Sequence, residues 1–345
     1  MLWFVGTGIS GYDSISVEGL RVIEKADFVY LEQFTSPMTK TDLSKIKKHV
    51  RGEFRIAKRW LVEDGGEILR NSREKRAVLL SYGDPYIATT HIELRARAME
   101  EKIKTGTVHG ASSVTSMIGE CGLHYYKVGR VATIMDDPKS MTTPYYVTYR
   151  NLVEGNHTIL LLEYNQDGGF FLDPKAALSH LMDAEKGQGR GVAGPDTFGI
   201  VASRIGSRDQ SITSGKISRL GKADFGRPPH TIIIPGRMHF TEADALKVLT
   251  DCLDEPRNNS DATRRISARM IEKYVPMVRE ALKEVSPQYR NSKEFEPVLE
   301  NAELYIRDAE LFLQEGKDEV AILSIGYADG LVDALRMAKG MDPKM

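Results

Sequence analysis

The sequence predicts an α/β chain: two α/β domains, then an all-α helical bundle. Three observations carry this. Over residues 1–111 short apolar runs alternate with helical stretches, the pattern of a parallel sheet covered on both faces. Over residues 112–256 strand-like runs dominate, with helical stretches between them. Over residues 260–345 only helical periodicity remains.

In the first domain Leu2-Trp3-Phe4-Val5, Phe28-Val29-Tyr30-Leu31 and Ala77-Val78-Leu79-Leu80-Ser81 read as buried strands, and Val17 to Ala26 and Glu93 to Lys102 as helices. In the second, Thr158 to Leu162, Gly199 to Ser203 and Thr231 to Ile234 read as strands. Val114 to Cys121, Tyr146 to Val153, Pro174 to Ala184 and Glu242 to Leu253 read as helices. Arg257-Asn258-Asn259-Ser260 reads as a linker. Beyond it, apolar stripes run through Ile266, Met270, Tyr274, Val278 and Leu282, through Leu299, Ala302, Ile306, Ala309 and Leu313, and through Leu323, Tyr327, Leu331, Ala334 and Ala338. Three such stripes predict a small antiparallel bundle, with a kink at Pro276.

Composition removes several function classes. The 345 residues carry a net charge of −1 and 41% hydrophobic residues, so the chain can pack a core and presents no strong field to recruit nucleic acid or membrane. Cys121 and Cys252 form no metal or disulfide framework; both are expected to be buried, in a reducing cytoplasm. No apolar run approaches the ~20 residues of a membrane span, and no basic region precedes the first strand, so no signal peptide is expected. No histidine has partners at metal-ligand spacing, so no metal site is expected.

The chemistry concentrates at strand ends. Tyr82-Gly83-Asp84-Pro85 follows a buried strand, and the carboxyl edge of a parallel sheet is where ligands bind. Two readings stand for Asp84: ligand contact, or, with Thr89 or Thr90, cap of the next helix. Gly6-Thr7-Gly8-Ile9-Ser10-Gly11 fits G-x-G-x-x-G, with Glu32 ending the next strand. The four residues Tyr12 to Ile15, ahead of a helix capped by Ser14 or Ser16, separate the third glycine from that helix. The loop therefore reads as a thin cleft wall rather than a dinucleotide site. His109-Gly110-Ala111-Ser112-Ser113 opens a helix whose N-terminus can hold a ligand or carry an ordinary serine cap. Ser203-Arg204-Ile205-Gly206-Ser207 and Pro228-Pro229-His230 flank two further strands.

Together these segments resemble one family, the diphthine synthases, diphthamide-biosynthesis methyltransferases of the tetrapyrrole-methylase superfamily. The likeness spans residues 1 to about 255 through Gly6-Thr7-Gly8-Ile9, Tyr30 to Ser36, Gly83-Asp84-Pro85 with Ala88-Thr89-Thr90-His91, His109 to Ser112, Gly122 to Gly129, His157 to Leu162, and Asp224 through Pro228-Pro229-His230 to Phe240. The Ala-Thr-Thr-His and Pro-Pro-His strings separate this family from the rest of the superfamily. The tail resembles a small archaeal helical domain of unknown function through Ala302 to Ala309 and Ala321 to Gly330.

The resemblance implies S-adenosylmethionine in the interdomain cleft, a homodimer, and methylation of the amino group on the aminocarboxypropyl-modified histidine of translation elongation factor 2. The archaeal-type reaction adds three methyls. It implies cofactor contacts from Ile9, Asp84, Ile87, Ser112, Ser113, Leu162, Ile205 and His230. The chain departs from the family's pattern at Gly110, where Asn is usual, at Ser113, where Ile is usual, at Glu163, where Asp is common, and in the glycine-aromatic segment Gln166 to Leu172. No general base is assigned: His230 is the single candidate and reads better as a cofactor contact. Two other classes remain open, a tetrapyrrole methyltransferase of the same superfamily and an NAD-dependent oxidoreductase. The tail reads as a non-catalytic interaction module.

Overall fold

In the computed structural model, which describes residues 1–34, 38–165 and 169–343, the chain forms two compact units, Met1–Ala262 and Thr263–Met345. Thr35 and Ser36 of the family string, and Gln166 to Gly168 of the glycine-aromatic segment, lie outside the described residues.

The first unit opens with β1 (Leu2–Gly6), α1 (Val17–Glu24), β2 (Phe28–Glu32), α2 (Lys40–His49), β3 (Glu53–Ala57), α3 (Arg59–Asp64), α4 (Gly66–Glu74), β4 (Ala77–Ser81), α5 (His91–Glu100) and β5 (Thr105–Val108). The five strands form one sheet in the order β3-β2-β4-β1-β5, every neighbour parallel. Apolar runs suit it because both faces are covered: Leu2, Phe4, Leu79 and Leu94 pack in one layer, and Val5, Ile23, Val29 and Leu80 in the other.

The chain continues through α6 (Ser113–Glu120), β6 (Ala132–Ile134), α7 (Thr142–Glu154), β7 (Thr158–Leu162), β8 (Tyr164–Asn165), β9 (Phe170–Phe171), α8 (Pro174–Gln188), β10 (Phe198–Ser203), β11 (Ser211–Lys216), α9 (Ile217–Leu220), β12 (His230–Ile234), α10 (Phe240–Leu249) and β13 (Asp251–Cys252). A second, mixed sheet has the order β13-β11-β10-β12-β7-β6. β10 and β12 are antiparallel with Ser203 opposite His230, whereas β6 and β7 are parallel. β8 and β9 form a separate hairpin. The Met117 and Ile118 side chains of α6 pack with Ile159, Phe198 and Ile233 of this sheet.

Two expectations are corrected here. The helix expected over Glu242 to Leu253 ends at Leu249; Asp251 and Cys252 pair with Thr213 and Ser214 as an edge strand. Cys252 is therefore half-buried, whereas Cys121 is buried. Residues 257–260 are not a free linker. The Asn259 amide donates to the carbonyls of Phe198 and Pro235 and accepts from Phe198 N at 2.8 Å, and Asn258 accepts from Met238 N. A side chain that satisfies buried backbone groups of two strands belongs to the sheet it closes.

The second unit contains α11 (Ile266–Val285), α12 (Glu296–Gln314) and α13 (Asp318–Ala338) around one core. α11 runs through Pro276 as a single helix. The α12 stripe buries Ala302, Ile306 and Ala309 as expected. The α11 stripe holds only in its second half, at Val278 and Leu282, and the α13 stripe sits off the buried face. α11 buries Ile271, Val275, Val278, Leu282 and Val285, and leaves Ile266 and Met270 exposed. α13 buries Ala321, Ile325, Ala328, Val332 and Leu335, and leaves Leu323 and Tyr327 exposed.

Candidate active site

The carboxyl ends of β1, β4 and β5 lie side by side, so the loops that leave them meet. Glycine makes this approach possible. Gly8 and Gly83 exchange backbone hydrogen bonds of 3.1 and 2.9 Å, and Gly83 adopts φ 73°. A Cβ on Gly6 would stand 2.4 Å from the Gly83 carbonyl and 2.7 Å from Gly110 N. Gly11 lies in a short 3-10 turn, Gly11–Ser14, while α1 starts at Val17 with Ser16 as its cap. The third glycine is thus outside the helix, which removes the geometry of a dinucleotide fingerprint.

These loops and the facing edge of the second sheet enclose a cavity of about 720 Å³, within the range of small-molecule sites. From the first sheet come Tyr82, Asp84, Ile87, Ala88 and Thr89, with Phe34, Lys58 and Arg59 beside them. The start of α6 adds Ser112, Ser113, Val114 and Met117. The second sheet, its loops and the β8–β9 hairpin supply Leu161, Leu162, Glu163, Tyr164, Phe171, Ala202, Arg204, Ile205 and His230.

Of the eight expected cofactor residues, Asp84, Ile87, Ser112, Ser113, Leu162, Ile205 and His230 line this cavity, and Ile9 does not. Ile9 packs against Gly206, and its carbonyl accepts from the Tyr82 hydroxyl at 2.6 Å, so it backs the wall rather than forming it.

Asp84 is 5% exposed and caps no helix. One of its oxygens accepts from Tyr86 N at 2.9 Å, and the other pairs with His109 Nδ1 at 2.7 Å. Thr89 donates to the Pro85 carbonyl, and Thr90 makes no side-chain cap. Ala88 holds φ 58°, a conformation costly for a residue with a Cβ. Ser112 does serve as a cap, accepting from Val114 N at 3.3 Å.

His230 pairs through Nδ1 with the Ser203 hydroxyl at 2.8 Å. Burial, and then the Arg204 guanidinium, lower its pKa below the ordinary value, so the ring is neutral near pH 7. Arg204, itself at φ 52°, donates to the carbonyls of Phe225, Arg227 and Asp209 and to Ser211, and its own N–H bonds Pro229 O. It thereby fixes the loop that delivers the cis Pro228–Pro229 bond and His230.

Three groups in or behind the cavity wall were not legible in the sequence. His109 was read only as part of a segment, and its pairing with Asp84 spans 25 residues. Lys58 and Arg59 carry no sequence signal beyond their charge. Glu163 was noted as a departure and Phe171 lay in the segment noted as unusual, whereas Tyr164 carried no signal; the Tyr164 and Phe171 rings stack at 4.2 Å. Away from the cavity, Glu242 is fully buried and binds His157 Nε2 at 2.9 Å, Lys127 Nζ at 2.7 Å, and the amides of His124 and His239. Burial acts to raise its pKa, but these partners hold it down at about 2. This network ties the start of α10 to the start of β7 and is a structural clamp. Among the described residues no acid, histidine or cysteine group is arranged to hold a metal, and no helix is long and apolar enough to cross a membrane.

Comparison with known proteins agrees with this architecture. The family described as "Tetrapyrrole (Corrin/Porphyrin) Methylases" matches residues 1–221, and "Protein of unknown function (DUF357)" matches residues 273–341. The chain is 34% identical over 266 residues to the diphthine synthase of Methanosarcina mazei, covering 75% of this chain and 99% of that protein. It is 33% identical over 248 residues to the diphthine synthase of Methanothermobacter thermautotrophicus, covering 71% and 94%. A crystal structure of diphthine synthase superposes with a TM-score of 0.63 at 30% identity, covering 73% of this chain and 96% of that one. That of a putative diphthine synthase from Entamoeba histolytica gives 0.65 at 27% identity, covering 72% and 98%. The chain therefore belongs to the diphthine synthases, S-adenosylmethionine-dependent methyltransferases within the tetrapyrrole-methylase family, and continues into a DUF357 unit.

Proposed function

We propose that this enzyme methylates the amino group of the aminocarboxypropyl arm on the modified histidine of elongation factor 2, in the cytoplasm, in the step that gives diphthine. The observation that carries the reading is one cavity lined by both sheets, with the Gly-Asp-Pro turn on one side and the Pro-Pro-His strand on the other.

The wall chemistry fits S-adenosylmethionine. Ile87, Met117, Leu161, Leu162 and Ile205 offer an apolar slot for a purine, and Asp84, Ser112, Ser113 and His230 supply scattered polar atoms for a ribose and an amino acid. When bound, the cofactor supplies a methyl already activated on sulfonium; the amine lone pair forms the N–C bond, the C–S pair returns to sulfur, and the amine proton goes to solvent. No metal is required for this. The residues align and desolvate. In-line alignment at roughly 3–3.5 Å supplies about 7–11 kcal/mol, and burial of the amine favours its neutral, attacking form. His230, held by Ser203 with its pKa lowered, is a weak base and serves as a cofactor contact.

Transfer of labelled methyl from the cofactor to elongation factor 2 carrying the unmethylated arm tests the assignment. Absence of label there, with label on a small tetrapyrrole acceptor, would return the enzyme to the wider superfamily.

We also propose a homodimer. Tyr125, Tyr126, Phe240, Val248 and Leu249 are all exposed. They are joined through a chain of ring contacts, Tyr126–His124–His239–Phe240, and the approach of Leu249 to Gly122. A second copy would cover this patch. Phe240→Asp should shift sedimentation from dimer to monomer; an unchanged dimer would move the interface elsewhere.

A further inference from the structure

The attacking arm carries two charges at its end, a carboxylate and an amine that becomes an ammonium as methyls accumulate. The cavity has walls of complementary sign apart from the expected cofactor contacts. Lys58 and Arg59 stand at the end of β3 on the first sheet, and Glu163, Tyr164 and Phe171 follow β7 on the second.

The Arg59 end of this wall can take a carboxylate. The Arg59 guanidinium lies 5.1 Å over the Phe34 ring, and its ion pair among the described residues is an exposed contact of 3.6 Å with Glu63 along the same helix. Such a contact holds the side chain weakly. A planar guanidinium fixed over an aromatic face can offer two parallel donors to a carboxylate.

The opposite wall is preformed. Glu163 takes a hydrogen bond from Asp136 N on one oxygen at 2.8 Å, its own N–H bonds Ile134 O, and its carbonyl accepts from Leu172 N. These bonds pin the residue between β6 and the β8–β9 hairpin. Tyr164 and Phe171 are cross-strand partners with stacked rings, so their orientation is set by the hairpin register. Burial and then the Glu32 carboxylate raise the Tyr164 pKa, so the ring stays neutral at physiological pH. An aromatic pair beside a carboxylate is the environment that recognises a methylated ammonium, whose charge is spread over greasy methyl groups.

Resting on the methyltransferase reading above, we infer that the arm is gripped as a zwitterion: its carboxylate at Arg59, and its increasingly methylated nitrogen at Glu163, Tyr164 and Phe171, which retains the partly methylated arm for further rounds. These residues set specificity and the extent of methylation; none of them is a base.

The test uses the full chain, elongation factor 2 with the unmethylated arm, and intact-mass counting of methyls in a pulse-chase. Glu163→Gln keeps the acceptor for Asp136 N, and Phe171→Leu keeps an apolar side chain, so both should fold. Each should bind S-adenosylmethionine with unchanged affinity in calorimetry but lower the ratio of third-methyl to first-methyl rate about tenfold, so that mono- and dimethylated arms accumulate. Phe171→Tyr should restore the wild-type distribution. Arg59→Met should raise KM for the protein substrate about tenfold with kcat nearly unchanged. Normal methyl counts and normal KM in all three variants, with an active wild type, overturn the grip while leaving the methyltransferase reading intact. A wild type that places no methyl on the arm overturns both.

Discussion

Asp84 shows how one side chain holds a site together. Its two oxygens hold the Gly-Asp-Pro turn through Tyr86 N and hold His109 through its ring nitrogen, while the residue lines the cavity. Asp84→Ala should weaken cofactor binding by about 1–3 kcal/mol in calorimetry, because the turn loses an acceptor as well as a contact. Asp84→Asn keeps an acceptor for Tyr86 N and should lose less; equal affinity in wild type and both variants would make Asp84 purely a turn residue. His230→Asn removes the imidazole that lines the cavity among the described residues. If the neutral ring is a contact, as proposed, the expected result is weaker cofactor binding with an unchanged shape of the rate–pH profile. Loss of the rising alkaline limb with normal cofactor affinity would make His230 the base. At this scale the sequence marked most wall positions, because strand-end motifs are local. It placed Ile9 one layer too close, since only the folded chain sets Gly206 against it.

At the scale of elements, legibility followed chemistry. Leu2 to Val5 and Ala77 to Ser81 were readable as strands because both faces of a parallel sheet are apolar. Ser211 to Lys216 was not, since serine, threonine, glycine and lysine alternate with a single isoleucine there. α13 carries apolar residues on two faces, so periodicity alone could not tell the buried Ile325 and Val332 from the exposed Leu323 and Tyr327. The His157–Glu242 clamp joins residues 85 positions apart and leaves no local trace.

Two buried groups at element ends make acid stability predictable. His91 opens α5, is 1% exposed, and shares Nδ1 with Ser81 and the Pro85 carbonyl; burial holds its pKa at about 4. The unfolded histidine takes a proton near 6.5, which the folded one refuses until about 4, so stability should fall by about 3 kcal/mol as pH drops across that window. Glu242 acts lower: its stabilisation is complete above 4.5 and is lost as pH falls toward about 2. Urea titrations across pH should show both declines, and His91→Gln should flatten the upper one. A slope between pH 6.5 and 4 that is identical in this variant would assign the loss to other groups.

For the whole molecule, the division at Ala262 sets where the chain can be cut. We expect a chain ending at Ala262 to bind cofactor and methylate at wild-type kcat, with any change confined to KM. A chain ending at Pro256 lacks Asn259, which is 5% exposed and makes three buried hydrogen bonds to the strands around Phe198 and Pro235. It should be less stable in urea by about 1–3 kcal/mol. Equal stability of the two, or loss of kcat in the longer one, would show that the boundary is misplaced. Residues 263–345 alone should unfold cooperatively, since α11, α12 and α13 share one core with cross-helix ion pairs Arg279–Glu310 and Arg336–Glu284.

The cavity wall is drawn from both sheets, so a molecule filling it acts as mortar between two lobes that otherwise keep separate cores. Ligand at a hundred times its dissociation constant adds about 2.7 kcal/mol to the folded state. That energy vanishes when either lobe opens alone. Saturation should therefore fuse two local melting events into one, and the enzyme's tolerance of heat should track the abundance of its methyl donor.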